Sequence, residues 1–311
     1  MNAVLRSICY TSVMIATVMA APQRGGGPQS ELLRKGQQLS REGKLDEALV
    51  AYQEELKNTP GSPQALNAAG TVLDLMGKGQ EARTYFQKAI DGAASPAAKA
   101  NAQRQMAMSF AFDSDCQNTV KYEQMVFDYY VSIKDFYQQG EIADEAALVC
   151  INSGDLNTAE KWYKIGHDAG IQQTDMPPGR KELWEFRYQN ALARLAVRRG
   201  NKAEAEKHVG AAKAALDLMK TQDAQMGAQQ TLFFGYLTGY VALYSGEYQK
   251  ALDLLPQGSQ NDVFVQCLIG QAYEKLGDKE KAMEAYRKAA AATAHNPPAA
   301  FARPFARKKL T

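Results

Sequence analysis

Residues 263–298 read VFVQCLIGQAYEKLGDKEKAMEAYRKAAAATAHNPP and carry the clearest pattern in the chain. Small and aromatic residues recur there at offsets that suit a helix, a tight turn and a second helix: Gly270, Tyr273, Gly277, Ala282, Tyr286 and Ala289. Small residues are needed where two antiparallel helices cross most closely, and larger side chains fill the space around the crossing. Two prolines close the unit because proline cannot continue a helix. The stretch therefore predicts a helical hairpin.

The same pattern recurs near the start of the chain. It is carried first by Gly36, Leu39, Gly43, Leu45, Ala48 and Tyr52, and then by Gly70, Leu73, Gly77, Ala82, Phe86 and Ala89. Ala48 and Ala82 stand one repeat of about 34 residues apart, and in spacing and residue type the pattern resembles the tetratricopeptide repeat. The resemblance implies an all-α fold, a right-handed solenoid of about seven antiparallel helix pairs.

The helical period divides the rest of the chain into units, and this division is our prediction of its organisation. The units span about 31–62, 63–96, 97–133, 134–170, 181–220, 224–260 and 263–296, followed by a short C-terminal capping helix at 297–311 with a basic outer side. The third unit is degenerate, since Thr119 replaces the alanine expected at the crossing. Pro177 and Pro178 interrupt the pattern between the fourth and fifth units.

The N-terminus has a different character. Arg6 precedes an apolar run from Ile8 to Met19, and a small-x-small sequence ends at Ala20, so residues 1–20 are predicted to be a secretory signal peptide. The run is short of the roughly 20 residues that a membrane-spanning helix needs, which makes a retained anchor the lesser alternative. Residues 21–30 are predicted to be a flexible tether. We expect an exported bacterial protein, periplasmic and not inserted in a membrane after cleavage.

Composition and motifs argue against several function classes. Lys and Arg total 36 against 34 Asp and Glu, which gives no electrostatic reason to expect nucleic acid as a partner. Phosphate-binding and nucleophile-elbow motifs are absent from the sequence, so no catalytic residue and no cofactor is predicted. The three histidines, His167, His208 and His295, are expected to be solvated or at helix ends, without metal.

Three cysteines follow the predicted signal peptide: Cys116, Cys150 and Cys267. Their odd number and wide spacing predict no self-contained disulfide framework, even in an oxidising compartment. Cys150 falls at an inward helix position where small apolar residues pack, so we expect it to be a buried thiol.

Two stripes distinguish the inner helices of the fifth and sixth units. Residues at helical spacing share one side of a helix, and here they form a basic stripe and an aromatic stripe: Arg187, Asn190, Arg194 and Arg198, and then Phe233, Tyr236, Tyr240 and Tyr244. Arginine and tyrosine are enriched at binding hot spots. We predict that these eight residues contact a partner. The competing interpretation is that the tyrosines pack against the neighbouring pair, while Glu141 and Asp144 balance solvated arginines.

Proteins of the resembled family bind other proteins through their concave face, which implies a non-catalytic scaffold for a protein or peptide of unknown identity. The alternative is an envelope binding protein that holds a small ligand or a glycan on the aromatic stripe of the sixth unit.

Overall fold

The computed structural model describes residues 29–259 and 261–311, and within them the chain forms helices and no strands. The predicted signal peptide and most of the predicted tether lie outside these residues. The helices are α1 (Glu31–Arg41), α2 (Leu45–Asn58), α3 (Pro63–Met76), α4 (Gly79–Asp91), α5 (Pro96–Phe112), α6 (Cys116–Ser132), α7 (Phe136–Ser153), α8 (Leu156–Gly170), α9 (Arg180–Arg198), α10 (Lys202–Gln222), α11 (Ala224–Tyr244), α12 (Tyr248–Leu254), α13 (Val263–Leu276), α14 (Lys279–Ala290) and α15 (Pro297–Leu310). The expected all-α solenoid of helix pairs is confirmed.

Short polar side chains start many of these helices. The Ser62 hydroxyl accepts a hydrogen bond from the Ala65 backbone N–H at 3.3 Å, and the Ser95 hydroxyl accepts one from Ala98 at 3.2 Å. A proline follows each serine as the first helical residue, where no intrahelical N–H bond is lost. Asp and Asn cap the starts of later helices in the same way. Local chemistry therefore sets most of the helix starts.

Glycine at the crossing point explains why the pairs pack closely. A Cβ atom at Gly36, Gly70 or Gly270 would lie less than 3.0 Å from the aromatic ring of the paired helix. The three rings are those of Tyr52, Phe86 and Tyr286, each at most 2% exposed. The small residue and the aromatic residue of each repeat thus form one packing unit.

The break between the fourth and fifth pairs is bridged by a tryptophan. Residues 171–179 are not helical, and α9 begins after Gly179, whose φ of 77° suits glycine. Trp184, 1% exposed, packs its indole ring against Gly140 of α7 and Gly170 of α8. The proline-rich break therefore changes the chain path while the stack of helices continues.

The C-terminal helix α15 has two contact faces. Ala302 and Ala306 pack on the last pair together with Tyr286, as a capping helix should. The opposite side contacts α3, α5 and α7, far away in the sequence. Arg303 bonds to backbone carbonyls in that contact, so the expectation that α15 turns a basic side outward is wrong for this residue.

Within residues 29–259 and 261–311, none of the helices combines the length and apolar character that crossing a membrane would require.

Candidate binding groove

The two predicted stripes lie on adjacent helices that pack against each other. α9 and α11 are the first helices of the fifth and sixth pairs, and the arginine side chains of α9 meet the tyrosine rings of α11. Both stripes therefore lie on the first helices of two consecutive pairs. We call the eight residues of the two stripes the Arg–Tyr ladder: Arg187, Asn190, Arg194, Arg198, Phe233, Tyr236, Tyr240 and Tyr244.

Arg194 lies at the centre of the ladder and is only 8% exposed. Its Nη2 donates a hydrogen bond to the Tyr163 hydroxyl at 3.0 Å, and its guanidinium carbon lies 5.3 Å from the Tyr163 ring and 6.0 Å from the Tyr236 ring. Its Nε has no hydrogen-bond partner. Among the described residues no carboxylate forms an ion pair with Arg194. A buried cation is therefore held by phenol groups and aromatic faces.

Arg198 repeats this arrangement one helical turn later. Its Nη1 donates to the Tyr240 hydroxyl at 3.1 Å, and its guanidinium carbon lies 4.8 Å from the Tyr244 ring. Tyr240 is fully buried, with ring centroids 5.8 Å from Tyr236 and 4.5 Å from Tyr244. No ion pair to Arg198 is found in the described part of the chain either. The ladder thus carries two positive charges without a carboxylate partner.

The remaining members differ from these two arginines. Arg187 forms an ion pair with Glu141 of α7 and lies 5.1 Å from the Trp184 ring. Asn190 is 7% exposed, whereas Phe233 is 42% exposed and forms no ring pair with the described residues. The structure therefore joins two arginines and three tyrosines into one cluster and leaves Arg187 and Phe233 outside it.

Burial changes the acid–base properties of the groups around the ladder. Burial raises the pKa of Asp144 on α7 to about 7, and Arg187 opposes the shift without cancelling it. Burial likewise raises the pKa of Tyr163 to about 12, against the opposing charge of Arg194. Tyr163 therefore stays protonated near neutral pH. Its hydroxyl oxygen accepts the hydrogen bond that Arg194 donates.

The placement supports part of each interpretation of the stripes. Tyr240 packs inside the protein, as the competing interpretation expects, and Arg187 is balanced by Glu141. Arg194 and Arg198 are not balanced in this way, and Arg198, Tyr236 and Tyr244 stay partly accessible. The role of these residues in binding a partner stays a prediction.

A second polar cluster, on the third and fourth pairs, was missed from the sequence. Arg104 of α5 donates from Nε to Glu145 of α7 at 2.8 Å and also from Nη2 to the same carboxylate. Glu123 of α6 lies close by, 0% exposed, and neither carboxylate oxygen has a hydrogen-bond partner. Burial raises its pKa well above the usual range, and Glu145 raises it further. Helical spacing could have indicated that Glu123 faces inward, because it lies four residues after Thr119, which takes the crossing position of the third unit.

The cysteine prediction is corrected by the structure. Cys116 and Cys150 form a disulfide between α6 and α7, so Cys150 is buried but is not a free thiol. The two helices are antiparallel neighbours, which brings the first residue of α6 beside the last turn of α7. This antiparallel arrangement could have indicated the disulfide from the sequence. The odd number of cysteines argued against it. Cys267 remains a free, buried thiol, and burial raises its pKa to about 12.

His295 lies at a helix end, directly before the N-cap Asn296 of α15, but it is not solvated, since its side chain is 6% exposed and contacts Asp74. His167 and His208 lie beside carboxylates, at Glu185 and Glu204 respectively. In the residues that the structure describes, no group of three or more His, Cys, Asp or Glu side chains is placed to hold a metal ion.

Comparison with known proteins agrees with the repeat architecture. The tetratricopeptide repeat family model matches residues 33–99 and again residues 265–296. The chain contains tetratricopeptide repeats in these two stretches. A search of curated proteins found no match.

Among solved structures, this repeat protein is similar to the apo form of RapI. The alignment has a TM-score of 0.55 at 11% sequence identity and covers 90% of this chain and 97% of RapI. A tetratricopeptide repeat protein from Parabacteroides merdae ATCC 43184 aligns with a TM-score of 0.49 at 16% identity, covering 83% of this chain and 91% of the other. The identity to RapI is low, so this similarity concerns the fold alone.

Proposed function

We propose that this repeat protein is an exported, non-catalytic scaffold that binds a protein or peptide partner on its concave face. Tetratricopeptide repeats serve as protein-interaction scaffolds, which supports the general role. One observation carries the choice of surface: Arg194 and Arg198 keep their positive charges on the inner face without a carboxylate partner among the described residues.

The chemistry of that surface favours an acidic partner segment. Guanidinium groups bind carboxylates through paired N–H donors, and a partner carboxylate would supply the counter-charge that Arg198 lacks. Tyr236 and Tyr244 flank the arginines with large, stiff surfaces of the kind found at binding hot spots. Nothing favours the small-ligand or glycan alternative, because the central ring of the aromatic stripe, Tyr240, is fully buried.

Two observations support export. The sequence of residues 1–20 has the features of a signal peptide. The Cys116–Cys150 disulfide belongs to the kind of cross-link that persists in oxidising compartments and is rare in the cytosol. On this basis we propose that the mature protein is periplasmic and bacterial.

Site-specific crosslinking tests the binding surface. A photo-reactive amino acid replaces Tyr244 in the ladder, and a matched control replaces the exposed Lys213 of α10. We expect a defined adduct with one envelope protein from position 244 only. Adding Arg198→Gln should reduce that adduct at least about fivefold if the guanidinium contributes about 1 kcal/mol or more to binding. Equal adducts from both positions, or an adduct that Arg198→Gln leaves unchanged, would reject this surface.

Export is tested separately. Cell fractionation should place the protein in the periplasm. Alkylation of the denatured protein should label one thiol, that of Cys267, before reduction and three thiols after reduction of the disulfide. Cytosolic protein that keeps residues 1–20, and so shows four reactive thiols under denaturing conditions, would contradict it.

A further inference from the structure

The C-terminal segment lies on the inner helices of the second and third pairs, about two hundred residues away in the sequence. His295 Nε2 lies 2.8 Å from Oδ2 of Asp74 on α3, and His295 Nδ1 lies 3.0 Å from Oε1 of Gln105 on α5. The imidazole is enclosed by aromatic rings, with centroids 5.1 Å from Phe112 and 5.8 Å from Phe86. This residue therefore occupies a fitted site that other helices build.

A second anchor follows eight residues later. Arg303 Nε donates to the Leu75 carbonyl at 2.8 Å, and Arg307 Nη1 donates to the same carbonyl at 3.1 Å. Leu75 lies in the last turn of α3, where carbonyl groups lack intrahelical partners and the helix dipole favours a cation. Arg303 also donates to the carbonyls of Ala290 and Ala292, both at 2.6 Å, which fixes the start of its own segment.

Apolar contacts lie beside the two anchors. Ala292, Ala299 and Ala300 pack into a buried cluster whose other members come from α3, α5 and α7: Leu75, Met108, Ala111, Phe112 and Val149. Without the segment, these side chains would face the groove, and the buried Asp74 would keep only the 2.8 Å bond from the Ser109 hydroxyl. The surface thus combines a buried carboxyl group, an aromatic box, an apolar strip and the Leu75 carbonyl.

These are the features of a peptide-binding surface. We propose that the inner surface of α3 and α5, around Asp74, Gln105 and Leu75, is a peptide-binding site that residues 291–307 of the same chain occupy. The external partner that fits it is a peptide with an imidazole just before a helix and, eight residues later within that helix, an arginine. Such a peptide must displace the resident segment before it binds. This site is separate from the Arg–Tyr ladder, so the inference does not depend on the proposed function.

The test changes the occupant and leaves the surface intact. The full chain carries His295→Ala and Arg303→Ala, and a matched control carries Arg287→Ala and Lys308→Ala, which remove two exposed cations from the same end of the molecule. Hydrogen exchange should become about tenfold faster or more in residues 291–300 and in the last turn of α3, because at least two buried hydrogen bonds are lost. Exchange in α9 and α10 should not change, and the control should match the wild type.

A labelled synthetic peptide of residues 291–311 then probes the surface by fluorescence anisotropy. It should bind the His295→Ala/Arg303→Ala chain at least tenfold more tightly than the wild type, whose site is filled. Adding Asp74→Asn should weaken that binding again, which separates a specific site from general loosening. Unchanged exchange in residues 291–300, or equal peptide binding by the variant and the wild type, would overturn the proposal. Peptide binding that Asp74→Asn does not affect would also overturn it.

Discussion

Two regions of the helix stack each bury an ionisable group that lacks an ion-pair partner, and they differ in the sign of the charge that the group carries when it is ionised. On the third and fourth pairs the group is Glu123, near the Arg104–Glu145 pair. On the fifth and sixth pairs it is Arg194, which contacts Tyr163 and Tyr236. Burying an unpaired charge is unfavourable in both regions, but the two groups have different ways to reduce the penalty.

A carboxyl group can take up a proton, and a guanidinium group cannot release one near neutral pH. Glu123 therefore needs no partner as long as it is neutral, and burial raises its pKa accordingly. Arg194 stays charged, so it requires hydroxyl acceptors and aromatic faces around it. The comparison teaches that the buried acid can lose its charge by taking up a proton, whereas the buried arginine keeps a permanent charge.

The largest expected effect concerns the disulfide, which only the acidic region has. Replacing Cys116 and Cys150 by alanine should lower the free energy of unfolding by about 3 to 4 kcal/mol, because the bond closes a loop with a sequence separation of 34. Urea unfolding of the oxidised wild type and the variant measures it. Cys267→Ala, which removes a buried free thiol, is the control and should have a much smaller effect. Equal losses from both would mean that the cross-link adds nothing beyond packing.

The next effect concerns the buried cation. Arg194→Ala should destabilise the protein by about 2 to 3 kcal/mol, because the Tyr163 hydroxyl loses its donor and a cavity forms. Thermal or urea unfolding measures the loss. Tyr163→Phe should destabilise the Arg194→Ala variant less than it destabilises the wild type, because the hydrogen bond between the two residues is already lost. Strict additivity would show that the two side chains do not act together.

For the buried acid Glu123 we expect a substitution that stabilises the protein. Glu123→Gln should raise the free energy of unfolding at pH 8 by about 1 kcal/mol, because it removes the unfavourable ionisation of a buried carboxyl group. Since the folded-state pKa is raised, the wild type should lose stability as pH rises from the unfolded pKa toward the folded one. Glu123→Gln should flatten this dependence, and Glu280→Gln at an exposed helix start should not. Destabilisation of the variant at pH 8 would reject the neutral-acid account.

The smallest effect concerns Asp144, which lies between the two regions. Its pKa of about 7, raised by burial from an ordinary value of 3.8, means that the folded protein holds a proton that the unfolded chain has lost. The free energy of unfolding should therefore decrease by about 1 kcal/mol between about pH 4 and pH 7 and then level off. The decrease is small because the group is partly accessible to solvent. Unfolding curves of Asp144→Asn across this range should lack that slope. A slope that persists would assign it to other acids.

Much of the fold could be predicted from the sequence, because it depends on contacts between neighbours in the chain. Gly70 and Phe86 lie one hairpin apart and pack together, and Ser62 with Pro63 starts a helix through local hydrogen bonds. The sequence also placed the arginine and tyrosine stripes at helical spacing on two successive inner helices. It could not show that Tyr240 is fully buried, because burial depends on how closely α9 and α11 pack.

The sequence by itself therefore determined the repeat, the helix pairs and the residue types on the inner face, since each follows from spacing within about one repeat. Tertiary structure alone decided the Cys116–Cys150 bond, the unpaired Glu123 and the contact of His295 with Asp74. For His295 the physical reason is that the turn of the solenoid brings distant helices together, and periodicity along the chain carries no record of which distant helices will meet. For the disulfide and Glu123 the helices are neighbours in the chain, and the outcome depends on how closely and at what angle those neighbours pack.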